Sequence, residues 1–168
     1  KRTWEIFQKH YPHLLSRITL HPYAVSDQPG EASFYFSKMN DSGLSGLANR
    51  TVLAHGEVVE IKIEVRTIDS LLDDAFIALL RFAKFDIEGA EYHAFKGAER
   101  VLRSQPILTF EWDTSAPRYF SYQPEDLFNC LSSHAYKIYD LFGFEYKSTA
   151  ELVDARVWNF VGVPFGMD

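Results

Sequence analysis

The sequence predicts a mixed α/β fold with parallel strands at its centre and an antiparallel pair of strands near the carboxyl terminus. The first observation behind this prediction is a strand, a helix and a second strand, at 81–87, 90–103 and 107–112. A strand–helix–strand unit of about 30 residues closes into parallel pairing. The second observation is an alternating apolar segment at 58–65, and the third is a pair of apolar strands near the end of the chain.

The chain begins within a predicted helix. Trp4, Phe7 and Tyr11 recur at helical spacing, and Pro12 ends the pattern. Because a domain rarely begins inside a helix and the first residue is Lys1 rather than methionine, we expect the sequence to be truncated at its amino terminus. All 168 residues, of which 46% are hydrophobic, are expected to form a single domain.

Three strands are predicted next. The segment 18–25 has strand character and ends at a turn, and 32–37 is a second strand. The stretch 38–56 is rich in Ser, Gly and Asn, so we expect a loop there. Hydrophobic and charged residues alternate over 58–65, which is typical of a half-exposed strand, and we expect it to pair antiparallel with the second strand as a hairpin.

The βαβ unit follows. Gly89 breaks the first strand (81–87), because a sharp turn into a helix is easiest for a residue without a Cβ. A helix is predicted over 90–103, although Gly97 inside it costs about 1 kcal/mol relative to alanine and indicates close packing or a break. The strand 107–112 completes the unit.

The last third of the chain predicts one helix and two strands. Residues 124–133 are amphipathic and begin with Pro-Glu-Asp, as the amino terminus of a helix prefers. The strands 136–142 and 157–163 are separated by a polar stretch, and we expect them to form an antiparallel pair.

Composition limits the classes of function. The formal net charge is −6, with 23 acidic and 17 basic residues, which gives no electrostatic reason to bind nucleic acid or an anionic membrane. We therefore expect a small-molecule partner. The single cysteine excludes an intramolecular disulfide. No apolar run approaches the roughly 20 residues that span a bilayer, and no signal-peptide pattern is present, so the expected location is cytoplasmic.

Four acidic residues are predicted to meet at one edge of the sheet. Asp86 and Glu111 each fall at the carboxyl end of a strand of the βαβ unit, where ligands of parallel sheets bind. Glu88 and Glu91 follow Asp86 closely. Four carboxylates at one edge could act as a general base, hold a divalent cation or bind substrate hydroxyls.

A structural interpretation competes with this one. Glu88 and Glu91 could simply complement the dipole of the following helix, which is worth about 0.3–1 kcal/mol each, and for Glu91 we favour that interpretation. For Asp86 and Glu111 we favour a functional role, because a carboxylate at the end of an apolar strand is costly unless it is used.

Several segments of the chain resemble the FkbM methyltransferase family. The most specific is the Asp-Ile-Glu-Gly-Ala-Glu run at 86–91, and the resemblance covers nearly the whole chain. The other segments that carry it are 24–27, 30–32, 65–72, 84–85, 96–99, 106–111, 136–143 and 160–164.

This resemblance implies a class I methyltransferase fold, which is a Rossmann-like sheet, with S-adenosylmethionine as the methyl donor. It implies that Ser26 and Asp27 lie near the adenine end of this cofactor and that Asp86 lies near the methyl donor. The implied acceptor is a hydroxyl oxygen of a sugar or a natural-product-like small molecule.

The resemblance also assigns the acceptor side. Glu88, Glu91 and Glu111 would line it, with Glu88 and Glu91 binding the substrate. Asp86 is the first candidate for removing the acceptor proton or for holding a metal that acidifies the hydroxyl, and Glu111 is the second. Clustered carboxylates suit Mg²⁺ or Ca²⁺, but the sequence does not separate metal-dependent from metal-free catalysis, and no residue is assigned as a metal ligand. His93 is an alternative base, although a surface or packing role is favoured for it.

One departure from the family pattern concerns the cofactor. Such enzymes have a glycine-rich turn after their first strand and an acidic residue that holds the ribose, and neither is found here; the glycine pair at 42–46 lies in a loop and is rejected as a substitute. We therefore expect a sheet that is incomplete at its amino terminus, a chain of low stability and weak cofactor binding.

Two functions are alternatives to methyl transfer. One is a non-catalytic fragment or binding module that keeps only the acceptor half of the fold, and the other is a metal-dependent hydrolase.

Overall fold

The computed structural model of the chain describes residues 2–37, 45–49, 58–112 and 114–167. The helices of these ranges are α1 (Arg2–His10), α2 (Ile68–Leu71), α3 (Asp74–Leu79), α4 (Glu91–Lys96), α5 (Glu99–Arg103), α6 (Ala116–Phe120), α7 (Pro124–Ser133) and α8 (Thr149–Val153), with a 3₁₀ helix at Pro12–Arg17. The strands are β1 (Ala24–Val25), β2 (Gly30–Ser37), β3 (Val58–Arg66), β4 (Phe82–Phe85), β5 (Ile107–Glu111), β6 (Tyr136–Asp140), β7 (Glu145–Tyr146) and β8 (Asn159–Pro164).

A five-stranded sheet holds the second half of the chain. Its strand order is β4-β5-β8-β6-β7. β4 and β5 are parallel, with Phe85 opposite Phe110, whereas β8 runs antiparallel to both β5 and β6. The predicted βαβ unit and the predicted antiparallel pair near the end of the chain are therefore confirmed.

A separate three-stranded sheet holds the first half, in the order β1-β3-β2. β2 and β3 are antiparallel, from Gly30 opposite Val65 to Ser37 opposite Val58, which confirms the predicted hairpin. β1 lies on the other side of β3 and runs parallel to it. The mixed α/β class is thus confirmed.

The predicted strand 18–25 is wrong over most of its length. Only Ala24 and Val25 pair with β3, and the apolar side chains of Ile18 and Leu20 are exposed to solvent. Pro22 lacks the backbone N–H that a ladder needs, so the segment before it keeps its apolar pattern without a partner strand.

The prediction of a single helix over 90–103 is also wrong. The segment forms two helices, α4 and α5, which are separated by a break at Gly97 and Ala98. A Cβ built on Gly97 would lie 2.1 Å from the Ser26 carbonyl oxygen. The backbone at Gly97 therefore lies so close to the segment after β1 that a residue with a Cβ would not fit there. The sequence-based expectation of close packing or a break at Gly97 is confirmed.

The main core lies on one face of the five-stranded sheet, under α4, α5 and α7. Phe110 is fully buried at its centre, with its ring 5.5 Å from that of Phe95 and 5.6 Å from that of Phe160. Leu127 and Leu131 of α7 complete this layer. The carboxyl ends of β4 and β5 are thereby packed against a well-filled core, and this packing positions the residues that follow the two strands.

No helix in the described part of the chain combines the length and the apolar character that crossing a membrane requires.

Candidate functional site

A cavity of about 280 Å³ lies between the two sheets, next to the turn that follows β4. One wall comes from that turn, and the other comes from β1, β2, β3 and the segment 45–47. The residues that line it are Tyr23, Ala24, Val25, Phe34, Ser45, Gly46, Leu47, Ile63, Asp86, Ile87, Glu88 and Ala90. Its surface is mainly apolar and aromatic, with two acidic side chains at one side.

Asp86 is the first residue after β4 and lines this cavity. Because Phe85 lies opposite Phe110 in the parallel pair, Asp86 and Glu111 occupy corresponding positions at the ends of adjacent strands. Lys84 Nζ donates to Asp86 Oδ2 at 2.5 Å, and both side chains are partly exposed. The strand ends predicted to share one edge of the sheet do so, although Glu111 is not among the residues that line the cavity.

Glu88 and Gly89 form the tip of the turn between β4 and α4, and both have left-handed backbone conformations, with φ of 60° and 98°. Gly46 packs against this turn, since a Cβ built on it would lie 3.3 Å from Glu88 Cβ. Gly46 also exchanges two backbone hydrogen bonds with Tyr35 of β2, at 2.9 and 3.1 Å. The turn is therefore joined to the three-stranded sheet through Gly46.

Glu91, the first residue of α4, is fully buried. Its Oε1 accepts a hydrogen bond from the Ile87 backbone N–H at 3.0 Å, and its Oε2 has no hydrogen-bond partner among the described residues. Burial, with a smaller contribution from the nearby charge of Glu111, raises the pKa of Glu91 to about 7 against the opposing effect of backbone N–H groups of the turn. Glu91 does not line the cavity.

Ser26 and Asp27 follow β1 and lie beside α4 rather than in the cavity. Ser26 Oγ donates to Asp27 Oδ1 at 3.1 Å, and Lys96 Nζ donates to Asp27 Oδ2 at 2.9 Å. Burial opposes ionisation of Asp27, but the hydrogen bonds from Lys96 and Ser26 outweigh it and lower the pKa of the carboxyl. Both residues line a second hollow, of about 260 Å³, which shares Leu47 with the cavity.

His93 of α4 bridges two segments. Its Nε2 lies 2.8 Å from the Phe120 carbonyl oxygen, to which it donates, and its Nδ1 lies 3.7 Å from Asp27 Oδ1. The ring is therefore held between α6 and the segment after β1. This agrees with the packing role that the sequence favours for His93.

The aromatic residues after β5 are mostly part of the core. Trp112 and Tyr122 are buried, and Trp112 Nε1 donates to the Tyr122 hydroxyl at 2.9 Å. Tyr119 is exposed and Phe120 is partly buried. None of these four lines the cavity between the sheets.

Within the described ranges, no three side chains of the His, Cys, Asp and Glu types are grouped closely enough to bind a metal ion. The residues that sequence reasoning missed are those of the far wall, Tyr23, Phe34 and the segment 45–47. The glycine pair at 42–46 is the nearest signal for them, and the sequence gives no spacing rule that would bring it to the turn after β4. Residues 42–44 lie outside the described part of the chain.

Comparison with known proteins gives one match. The family model described as Methyltransferase FkbM domain matches residues 8–138. These residues include both walls of the cavity, the turn after β4 and all six acidic or polar positions that the sequence assigns to a site. No curated protein and no solved structure matches the chain.

Proposed function

Since the chain belongs to the FkbM methyltransferase family, we propose that it transfers a methyl group from S-adenosylmethionine to a hydroxyl oxygen of a sugar or a similar small molecule. The observation that carries this proposal is the cavity at the end of β4, lined by Asp86 and Glu88. In open α/β sheets, ligands bind outside the carboxyl ends of parallel strands, and this cavity has that position.

The chemistry of the cavity fits such a ligand. Tyr23, Phe34 and Ile63 offer apolar and aromatic surface for a planar ring, whereas Asp86 and Glu88 offer carboxylate oxygens for hydroxyl and ammonium groups. S-Adenosylmethionine combines an adenine ring, ribose hydroxyls and a positively charged methionine part. The residue of the cavity that would hold it here is Asp86, with Ser26 and Asp27, which line the hollow that shares Leu47 with the cavity, proposed near the adenine end.

The proposed reaction needs three things from the protein. When bound, S-adenosylmethionine would supply a methyl carbon open to attack by the acceptor oxygen from the side opposite its positively charged sulfur, which would leave as a neutral thioether. Asp86 accepts the acceptor proton, and the hydrogen bond from Lys84 to its Oδ2 fixes the orientation of the carboxylate. Glu88 accepts hydrogen bonds from acceptor hydroxyls, and the apolar wall excludes water.

Glu111 is proposed as the second carboxylate of the reaction, because it ends β5 at the position that corresponds to Asp86 on β4. Its negative charge at the carboxyl ends of β4 and β5 favours the binding of cationic and hydroxyl-bearing ligands there. Because the Glu91 carboxylate is buried, we propose that Glu91 contributes to substrate binding only indirectly, by holding the turn between β4 and α4.

The test is transfer of labelled methyl groups from S-adenosylmethionine to a panel of sugars and phenols. Asp86→Asn is compared with Asp154→Asn, an exposed aspartate at the end of α8. We expect Asp86→Asn to lower transfer roughly a hundredfold or more, the usual contribution of general base catalysis, and Asp154→Asn to leave it unchanged. Equal rates for the two variants would contradict the role of Asp86. No transfer to any acceptor, together with acceptor binding, would instead support the non-catalytic binding module.

A further inference from the structure

The turn between β4 and α4 carries the two acidic side chains of the cavity, and Glu91 contacts this turn from inside the protein. Asp86 and Glu88 line the cavity, whereas Glu91 does not. Glu91 is nevertheless bonded to the turn, because its Oε1 accepts the Ile87 backbone N–H at 3.0 Å. Ile87 is the residue between the two acids, so this bond fixes the part of the backbone that orients both of them.

The turn has a conformation that needs such support. Glu88 has a φ of 60°, and a left-handed backbone costs a residue with a Cβ about 1–2 kcal/mol. Strain of this kind persists when the surroundings hold the backbone in place. Gly46 contacts the turn on the cavity side through Glu88 Cβ, and Glu91 holds it on the interior side.

From this geometry we infer that Glu91 is a positioning residue, whose buried carboxyl group holds the turn that presents Asp86 and Glu88 to the ligand. It acts through Ile87 and does not itself contact substrate or cofactor. The inference rests on the proposed function only for the identity of the ligand, because the contact between Glu91 and the turn does not depend on it.

The charges around Glu91 agree with this role. The groups that face its carboxyl are the backbone N–H groups of Ile87, Gly89 and Glu91 itself and, from β5, the carboxylate of Glu111. Burial, with the charge of Glu111 in addition, raises the pKa of Glu91 to about 7. A neutral carboxyl group keeps the carbonyl oxygen that accepts the Ile87 N–H, so positioning does not require the charge.

Two substitutions separate geometry from charge. Glu91→Gln keeps the length and an acceptor oxygen but removes the charge, whereas Glu91→Asp keeps the charge but is one CH₂ shorter and cannot reach Ile87 without movement of the backbone. If Glu91 positions the turn, Gln retains the affinity for S-adenosylhomocysteine within about twofold. Asp lowers it roughly tenfold, the equivalent of one lost hydrogen bond. If Glu91 contacts the ligand through its charge, the order of the two variants is reversed.

Glu125→Gln and Glu125→Asp serve as matched controls, because Glu125 lies in the first turn of α7 and is exposed. Neither control is expected to change the affinity.

A second readout needs no ligand. In ¹⁵N spectra, the amide signals of Ile87 and Gly89 are expected to shift with pH around a midpoint near 7 in the unsubstituted chain, and to lose that shift in Glu91→Gln. Amide signals that titrate identically in both proteins would overturn the inference. Failure of S-adenosylhomocysteine to bind the unsubstituted chain would count against the proposed function alone, since the amide titration would still decide the role of Glu91.

Discussion

The two sheets of this chain differ in how they are stabilised. In the five-stranded sheet, Leu108, Phe110 and Phe160 are at most 1% exposed and belong to one continuous core. In the three-stranded sheet, Phe36 and Ile61 are 45% and 47% exposed. The first region is stabilised by burial of apolar surface, and the second depends more on backbone pairing and on a few contacts with its neighbour.

These contacts lie where the two regions meet. Gly97 packs on the Ser26 carbonyl, Lys96 binds Asp27, and Gly46 packs on Glu88. The cavity is at the same junction, with one wall from each region. The well-packed region therefore positions Asp86 and Glu88, and we expect the less buried far wall to adjust to the ligand at a smaller cost in free energy.

The largest difference between the regions is expected for deletion of a core side chain. Phe110→Ala should lower the free energy of unfolding by about 3–5 kcal/mol, because it leaves a cavity in a packed interior. Phe36→Ala removes a side chain that is already half exposed and should cost about 1 kcal/mol or less. Urea unfolding of the two variants measures both values, and similar losses would show that the regions do not differ as described.

The next largest effect concerns Glu91 and pH. Its folded pKa of about 7 lies above the ordinary value of 4.5, so the folded state binds the proton more tightly than the unfolded state. Stability should therefore fall as pH rises from 4.5 to 7, by about 3 kcal/mol at most, and stay at the lower level above 7.

Glu91→Gln should remove this pH dependence, because the side chain is uncharged at every pH. Thermal unfolding between pH 5 and 8 measures it in both proteins. A stability that rises over this range in the unsubstituted chain, or an unchanged slope in Glu91→Gln, would contradict the account of Glu91.

Gly97→Ala should lower stability by about 2 kcal/mol, because its new Cβ would meet the Ser26 carbonyl oxygen and force the two regions apart. Gly30→Ala is the control, since no atom beyond the adjacent residues of the chain lies within 4 Å of a Cβ there, and its effect should stay within about 0.5 kcal/mol. Amide exchange should accelerate in Gly97→Ala at Ser26, whose N–H donates to the Arg66 carbonyl. Unchanged exchange there would show that this contact does not hold the regions together.

The smallest effect is expected for Lys96→Met, which keeps an apolar side chain but removes the ammonium group that binds Asp27 and lies 5.7 Å from the centre of the Tyr92 ring. The Lys96 and Asp27 side chains are partly exposed, so the loss should be about 0.2–1 kcal/mol and should shrink further at high salt. A loss that does not depend on salt would indicate packing rather than charge.

Local patterns in the sequence predicted the elements whose neighbours are close along the chain. The βαβ unit, the hairpin and α7 follow from periodicity, from turn residues and from Pro124 at the start of the helix. The strand 18–25 was predicted wrongly because strand character in a local segment does not reveal whether a partner strand exists. The break at Gly97 was one of two interpretations of that glycine, and only the approach to Ser26 shows why it occurs.

The site was predictable in part for the same reason. Parallel pairing places Asp86 and Glu111 at adjacent strand ends, and this follows from the sequence once the βαβ unit is recognised. The position of Gly46 was not predictable, because it depends on a contact between segments about 40 residues apart. The burial of Glu91 was not predictable, because it depends on how far the side chain turns into the interior. The assignments of all six residues to catalysis, cofactor and substrate stay predictions: Ser26, Asp27, Asp86, Glu88, Glu91 and Glu111.

The ligand is proposed to bind in the cavity between the two sheets. A titration of the ¹⁵N-labelled chain with S-adenosylhomocysteine tests this proposal, because each backbone amide reports its own position. We predict shifts concentrated at 86–90, 23–25 and 45–47, the segments that line the cavity, and at 26–27, which line the adjacent hollow proposed for the adenine end. Shifts confined to the separate hollow bounded by Asp140 and Val157, or no shift at any concentration, would contradict the claim.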